Sequence, residues 1–486
     1  MRAHLLGGGC LLALTSTLIS AAPNTPPLIQ AIRDNNLQSV RGLLKQRVNV
    51  NAPQGDGATA LHWAAHVDNL PIADLLIRAG ARVSEANDNG VTPLHLACTN
   101  RSAAMVERLL AAKANPNATL LNGETVLMTC ARAGEPKAVK ALLVRGADVH
   151  ARERAHDQTA LMWAASQRHP DAVQVLIEAG ADVRARSRSY AQTVVGEQTQ
   201  RAGREELNYT VLRGGSTPLL FSARIGDAES AALLLAAGAD VNDALPDGTT
   251  ALVLAAHSGA GRVATLLLQK GADPNAFGTG YTALHAAILR SDLDLVNALL
   301  AHGAKPDTRM TKGTPLRRDT TDWNLPAPLI GSTPYLLAAR FLEPGIMRAL
   351  VAGGADPKLA MPNGATPVMV AVGMGSGASA DRRGINVIDF GKVEPESQVL
   401  ETVKAAVALS GDVTAASVAG DTALHAAALL GHDTVVQFLA DRGADINAKN
   451  KRGQTPLMAV LTAKARDENT NLDMVALLRT LGAAEQ

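Results

Sequence analysis

Apolar and polar positions along this chain repeat on one long period. A Thr, followed by Pro, Ala or Val and then an apolar residue, recurs at Thr59, Thr92, Thr125, Thr159, Thr217, Thr250, Thr282, Thr333, Thr366, Thr422 and Thr455. Seven of the ten gaps are 32 to 34 residues, and the other three exceed 33 by 25, 18 and 23. Self-similarity at such a period marks a stacked repeat architecture, here with three insertions.

Each unit has the same internal grammar. Gly-x-Thr-Pro/Ala-Leu opens it, as in Gly90-Val91-Thr92-Pro93-Leu94. Thr is a good N-cap because its hydroxyl can satisfy a free backbone N–H, and Pro suits the first helical position. A short helix with paired Ala follows (Ala64-Ala65, Ala255-Ala256, Ala426-Ala427), then a break such as Gly226-Asp227. A second helix carries apolar residues at helical spacing, as in Val435, Val436, Phe438 and Leu439, and closes at Gly-Ala-Asp. The closing Gly takes the left-handed conformation without Cβ strain. Arg47 and Lys113 stand where other units place it, each at a cost of roughly 1–2 kcal/mol. Asp157 replaces the Gly that elsewhere lies two places before the Thr, and Asp tolerates that conformation better than most residues.

On these motifs the chain resembles the ankyrin-repeat proteins, from about Pro27 to the C-terminus. The resemblance implies an all-α repeat solenoid of helix–turn–helix–hairpin units that binds other proteins. Leu28 to Asn51 lacks the opening motif but keeps the second-helix pattern, so it reads as an N-terminal cap. The stretched last unit, Gly453 to Gln486, reads as the C-terminal cap, for about twelve repeats over residues 28–486.

Composition narrows the function. Lys+Arg is 46 and Asp+Glu 45, a balance that argues against broad electrostatic binding to nucleic acid or an anionic membrane. Five Phe, three Trp and four Tyr are too few for stacking platforms along single-stranded nucleic acid. The core must therefore be built from Leu, Val, Ile and Ala.

The N-terminus stands apart. Arg2, the apolar run Leu5 to Leu14, Ser20-Ala21-Ala22 and the prolines Pro23, Pro26 and Pro27 predict a Sec-type signal peptide over residues 1–21, cleaved after Ala21. A Pro-rich linker over 22–27 follows. The apolar run is too short for a membrane span, so the mature form is expected to be a periplasmic or secreted monomer with no membrane-spanning segment. Cleavage leaves only Cys98 and Cys130. They fall at near-equivalent places in consecutive repeats, which the stacking is expected to hold farther apart than the roughly 7 Å a disulfide allows. Two buried free thiols are expected.

Little in the sequence promises catalysis. There is no Gly-x-Ser-x-Gly elbow, Walker sequence or His-Glu-x-x-His. Gly373 to Gly377 lacks the preceding strand of a phosphate-cradling loop and reads as a surface loop. His62 and His66 are spaced i, i+4 as a metal pair would be. However, His62, His95, His285 and His425 hold one repeat position where Met128, Met162, Met369 and Met458 stand elsewhere, which a ligand set would not tolerate. In the family this His bonds the helix start and the neighbouring hairpin. The expectation is a non-enzyme with no cofactor and no metal.

Candidate contact residues come from two sources. Trp63 and Trp163 share one first-helix column with Phe221, near the expected concave side, where core packing competes with a role as partner anchors. The insertions supply the rest. The first (186–213) lengthens a hairpin finger and carries Tyr190 and Tyr209. The second (308–330) falls in the same slot and carries Arg317, Arg318 and Trp323, and the third (373–397) separates the two helices of one unit. Long loops in compact repeats are usually functional or unstructured, and these could instead pad neighbouring repeats. The reading is an exported scaffold gripping a protein by its concave face and long fingers. The alternatives are an accessory or protective subunit of an envelope enzyme or redox complex, or a secreted effector.

Overall fold

Two kinds of short helix alternate through a computed structural model of the chain, which describes residues 25–195, 208–314, 327–374, 395–462 and 468–484, with residues 323 and 325. The chain divides into two compact units at Arg154 and Ala155. The first holds four helix pairs: α1 (Pro27–Arg33) with α2 (Leu37–Lys45), α3 (Ala60–His66) with α4 (Leu70–Arg78), α5 (Pro93–Thr99) with α6 (Ala103–Ala111), and α7 (Val126–Ala133) with α8 (Pro136–Val144).

The second unit holds eight. It opens with α9 (Ala160–Ser166) and α10 (Pro170–Glu178), α11 (Pro218–Ile225) and α12 (Ala228–Ala236), α13 (Ala251–Ser258) and α14 (Gly261–Gln269), and α15 (Ala283–Leu289) and α16 (Leu293–Ala301). It continues with α17 (Pro334–Arg340) and α18 (Pro344–Ala352), α19 (Pro367–Val372) and α20 (Glu396–Ser410), α21 (Ala423–Leu430) and α22 (Asp433–Asp441), and α23 (Pro456–Thr462) and α24 (Glu468–Thr480). The described residues thus contain twelve pairs, in keeping with the predicted repeat number. The strands β1 (Tyr190–Val195) and β2 (Asn208–Arg213) form an antiparallel ribbon.

Local chemistry explains why each helix starts and stops. Thr92 caps α5, its hydroxyl accepting from the His95 N–H with Pro93 in the first helical place. Several second helices use Asn or Asp: Asn69 accepts from the Ile72 N–H, and Asp227 from the Ser230 N–H. Such a cap contributes about 1 kcal/mol. One residue past the C-cap of a second helix the backbone turns left-handed, with φ 88° at Gly443 and 66° at Lys113. Arg47 (57°) and Asp157 (54°) adopt it too, as the sequence predicted.

Within each unit helices pack on their pair-mates and, α22 and α24 apart, on the corresponding helix of the next repeat, as α5 does on α3, α6 and α7. The apolar spine is Leu61, Ile72, Leu76, Leu94, Leu109, Leu127 and Leu142 in the first unit, all buried. Complete burial of such a side chain stabilises by about 1.5–3 kcal/mol. Between adjacent first helices the fully buried residues are mostly Ala, including Ala64, Ala97 and Ala131.

That column of small side chains overturns the expectation of free thiols. Cys98 on α5 and Cys130 on α7 are joined by a disulfide, with their Cα atoms 4.6 Å apart. Near-equivalent positions, each next to a fully buried Ala (Ala97 and Ala131), lie well inside disulfide range here.

The insertions differ from one another. The first is the β1–β2 ribbon, a lengthened hairpin as predicted, with residues 196–207 outside the described part. The second is partly packed into the protein, for Met310, Leu325 and Leu329 are buried and Thr314 and Leu325 exchange hydrogen bonds. The third separates α19 from α20, with residues 375–394 outside the described part.

Candidate protein-binding surface

The repeat histidines are structural pins. The Thr59 N–H donates to His62 Nδ1 at 3.1 Å, and His62 Nε2 lies 2.9 Å from the carbonyl of Val91, the residue before the next capping Thr. An Nδ1 that accepts carries no proton, so the ring is neutral and Nε2 is the donor. His425 repeats this with Thr422 and the Gln454 carbonyl, at 3.2 and 3.0 Å. Burial lowers the pKa of His62, and pushes His95 and His285 down to about 4. Both ring nitrogens of His62 are engaged by the protein itself, so His62 and His66 do not form a ligand pair. Among the described residues no group of three or more His, Cys, Asp or Glu gathers as a metal would require. Where Met replaces His, the thioether takes over the contact, with the Thr125 N–H 3.4 Å from Met128 Sδ.

The aromatic column is half-buried. The Trp63 indole N–H donates to Gln54 Oε1 at 3.0 Å, while the Arg33 guanidinium lies 5.0 Å above its ring and His66 meets it edge-on. In the second unit Trp163 and Phe221 are likewise half-buried, and the Arg224 guanidinium lies 6.0 Å from the Phe221 ring. These rings pack on one side and reach solvent on the other, as interface anchors do.

The finger is locked at its base. The Arg188 N–H donates to the His156 carbonyl, and its guanidinium takes both carboxylate oxygens of Asp157, at 3.0 and 2.8 Å. Ser187 and Ser216 exchange two bonds of 3.0 Å. Arg186 reaches the Gly215 and Ala244 carbonyls at 2.9 and 3.0 Å and pairs with the buried Asp243, which also accepts from the Thr217 hydroxyl. Beyond this base β1 and β2 pair from Tyr190 opposite Arg213 to Val195 opposite Asn208. Tyr190 is exposed, its ring 6.1 Å from that of His156. Tyr209 stands opposite Val194, farther along the ribbon.

In the second insertion, Arg317 and Arg318 lie outside the described residues. Trp323 is half-buried with the Arg290 guanidinium 4.5 Å from its ring centre. The structure therefore places Trp163 and Phe221 on the packed helices α9 and α11 and Tyr190 next to His156 at the finger base, and gives Trp323 an Arg partner. Arg224 and Arg290, which meet the Phe221 and Trp323 rings, were not among the sequence candidates, whose arginines lay only in the second insertion. Their signal was available, as Arg at or just past the end of a first helix.

Paired helices on a 33-residue period define a helical repeat protein. A family model described as ankyrin repeats in three copies matches residues 28–120, 104–187, 201–278 and 219–310, and a single ankyrin-repeat model matches 419–451. The chain belongs to the ankyrin-repeat family. The crystal structure of the human ASB11 ankyrin repeat domain is similar at 26% identity with a TM-score of 0.41, covering 51% of this chain and 100% of that one. No curated protein matches the chain. Ankyrin repeats mediate protein–protein interaction. No helix among the described residues is long and apolar enough to cross a membrane.

Proposed function

We propose that the chain is an exported, non-enzymatic scaffold that binds a partner protein through its first-helix face and the β1–β2 finger. The observation that carries this is the locked finger base, whose Asp157 and Thr217 lead directly into α9 and α11, the helices that carry half-buried Trp163 and Phe221. A pre-formed surface loses little conformational freedom on binding. Tyr190, Tyr209, Trp163 and Phe221 are the proposed contacts of the second unit, and Trp63 of the first. Trp323 serves indirectly, by holding Arg290. The partner is a protein, and neither cofactor nor metal takes part.

Export is supported by two independent features. The first 21 residues have the form of a cleavable leader, and the Cys98–Cys130 bond belongs to an oxidising compartment. The protein then works in the periplasm or outside the cell. Photo-crosslinking residues placed at Trp163, Phe221 and Tyr190, with a control at Gln174 on α10, test the surface in the native cell envelope. One protein captured at the first three sites and not at the fourth is expected. Capture at Gln174 alone, or a mature chain whose N-terminus is still Met1, would remove the corresponding half of the reading.

A further inference from the structure

One first helix of the second unit has its outer side covered. Seven places after each of the eleven capping Thr residues stands a residue of the first-helix face, from His66 to Thr462. All eleven are described, and Leu289 on α15 is the one that is buried. The same residue type in the same place on α21, Leu429, is 47% exposed. The side chain itself therefore does not set the difference, and something lies over α15 that does not lie over α21.

The second insertion touches both ends of that helix. At the start of α15, the Thr311 N–H donates to the carbonyl of Gly280, two residues before the capping Thr282, at 2.8 Å. At the far end, the Trp323 ring lies 4.5 Å from the guanidinium of Arg290, which also reaches the Ser258 carbonyl at the end of α13. Arg290 is eight residues past Thr282, about 12 Å along the helix. Leu325, two residues beyond Trp323, is fully buried and exchanges hydrogen bonds with Thr314. A chain fixed beside the cap, with its Trp at the opposite end, runs along the outer side of α15 and accounts for the burial of Leu289.

We infer that the outer side of α15 is a docking site for a short apolar segment with an aromatic anchor, filled in this chain by its own Trp323 and Leu325, and that the partner enters it with a segment of that kind. This inference rests on the protein-binding reading above and adds what the partner presents. Leu289 supplies an apolar floor, and Arg290 a cation for the face of an aromatic ring, which favours Trp or Tyr. The site continues the proposed binding face, since α9, α11, α13 and α15 pack in succession. Its occupant is tethered, and a short tether holds a segment at an effective concentration on the order of millimolar. The insertion is therefore a built-in competitor that a partner's segment must displace.

The test adds a fluorescein-labelled synthetic peptide, with the sequence of residues 321–330, to the full chain. The parent, its site already filled, should bind the peptide weakly. Trp323→Ala with Leu325→Ala empties the site and should tighten binding about tenfold or more. Adding Arg290→Ala to that variant should abolish the gain, whereas adding Gln174→Ala on α10 should preserve it. A scrambled peptide should bind neither chain. Melting curves show whether the variants keep the parent's helices. Trp323→Ala by itself, which leaves the buried Leu325 in place, should also tighten binding and serves if the double variant does not fold. Equal binding to the parent and the emptied chain, no binding to either, a gain that survives Arg290→Ala, or equal binding of the scrambled peptide overturns the inference. The scaffold reading is judged separately, by the crosslinks at Trp163, Phe221 and Tyr190, none of which lies in this insertion.

Discussion

Cys98 and Cys130, 32 residues apart in sequence, cross-link α5 to α7 with neither residue accessible to solvent. A bond between successive repeats acts on the weakest feature of a repeat stack, in which each unit is held mainly by its neighbours. Closing a loop of this length in the unfolded chain contributes about 3–4 kcal/mol on the chain-entropy model. Cys98→Ala with Cys130→Ala should lower the stability of the first unit by about that amount and leave the second unfolding as before. Urea titration followed by fluorescence of Trp63 reads the first unit and Trp163 the second. Alkylation of both cysteines in unreduced, denatured protein would show that the bond does not form.

The repeat period, the helix pairs, the Thr caps and the left-handed Arg47, Lys113 and Asp157 were legible in the sequence, because each depends on a few residues at fixed local spacing, whereas the left-handed Asn35, Asp68, Arg101, Arg168, Ser291 and Leu342 between paired helices were not. Thr92 with Pro93 announces a helix start wherever it occurs. The disulfide was not legible by the same route. Its geometry depends on how closely α5 and α7 approach, which is a property of their packing, with Ala97 and Ala131 fully buried beside the cysteines, rather than of any spacing along the chain. The Arg290–Trp323 contact was hidden for the same reason, since it joins residues far apart in sequence, whereas Arg224 and Phe221 lie three residues apart on α11. The Ala pairs did hold a clue to close helix approach, and the leader pattern a clue to an oxidising destination. Read jointly they point to the bond.

Lys113 tests how the helix-closing turn is built. Its side chain is exposed and its φ is 66°, whereas at the equivalent Gly80 and Gly146 an added Cβ would meet nothing within 4 Å. Space is therefore available, and the cost of a side chain here is in the backbone dihedral alone. Lys113→Gly should relieve roughly 1–2 kcal/mol of left-handed strain, less the extra freedom glycine has in the unfolded chain. A net gain of about 0.5–1 kcal/mol in thermal unfolding is expected. No gain would mean that the Lys113 turn is not strained.

Acid should loosen the repeats through their histidines. Burial holds His95 and His285 down at about 4, against an ordinary value of 6.5 in the unfolded chain. Above pH 6.5 both states are neutral and these groups contribute nothing to pH dependence. Below it the unfolded chain takes up protons that the folded chain refuses, so stability falls until about pH 4 and then levels off. Each of these buried rings accounts for about 3 kcal/mol over that window. His285→Met, the replacement nature uses at Met128, should flatten the profile between pH 6.5 and 4 in urea titrations of the second unit. An unchanged profile would place the acid sensitivity elsewhere.

Gly214 determines whether the finger is a fixed feature or a loose one. It has φ +75°, and a Cβ there would run into the backbone carbonyl of Arg188, a residue held by its N–H to the His156 carbonyl and by its side chain to Asp157. Gly215 beside it is crowded by Pro246 and Ser189, so the chain cannot shift the other way. Gly214→Ala should therefore open the finger base while sparing the helices, whose caps and core lie outside this contact. Hydrogen exchange should quicken in the amides of residues 187–195 and 208–216, with α9 and α11 still protected. The melting temperature should fall by little, since an exposed ribbon contributes little to the core. If the partner's affinity survives this change, the finger is not a pre-formed grip. If it drops at least tenfold with the helices intact, the rigid base is what the partner recognises.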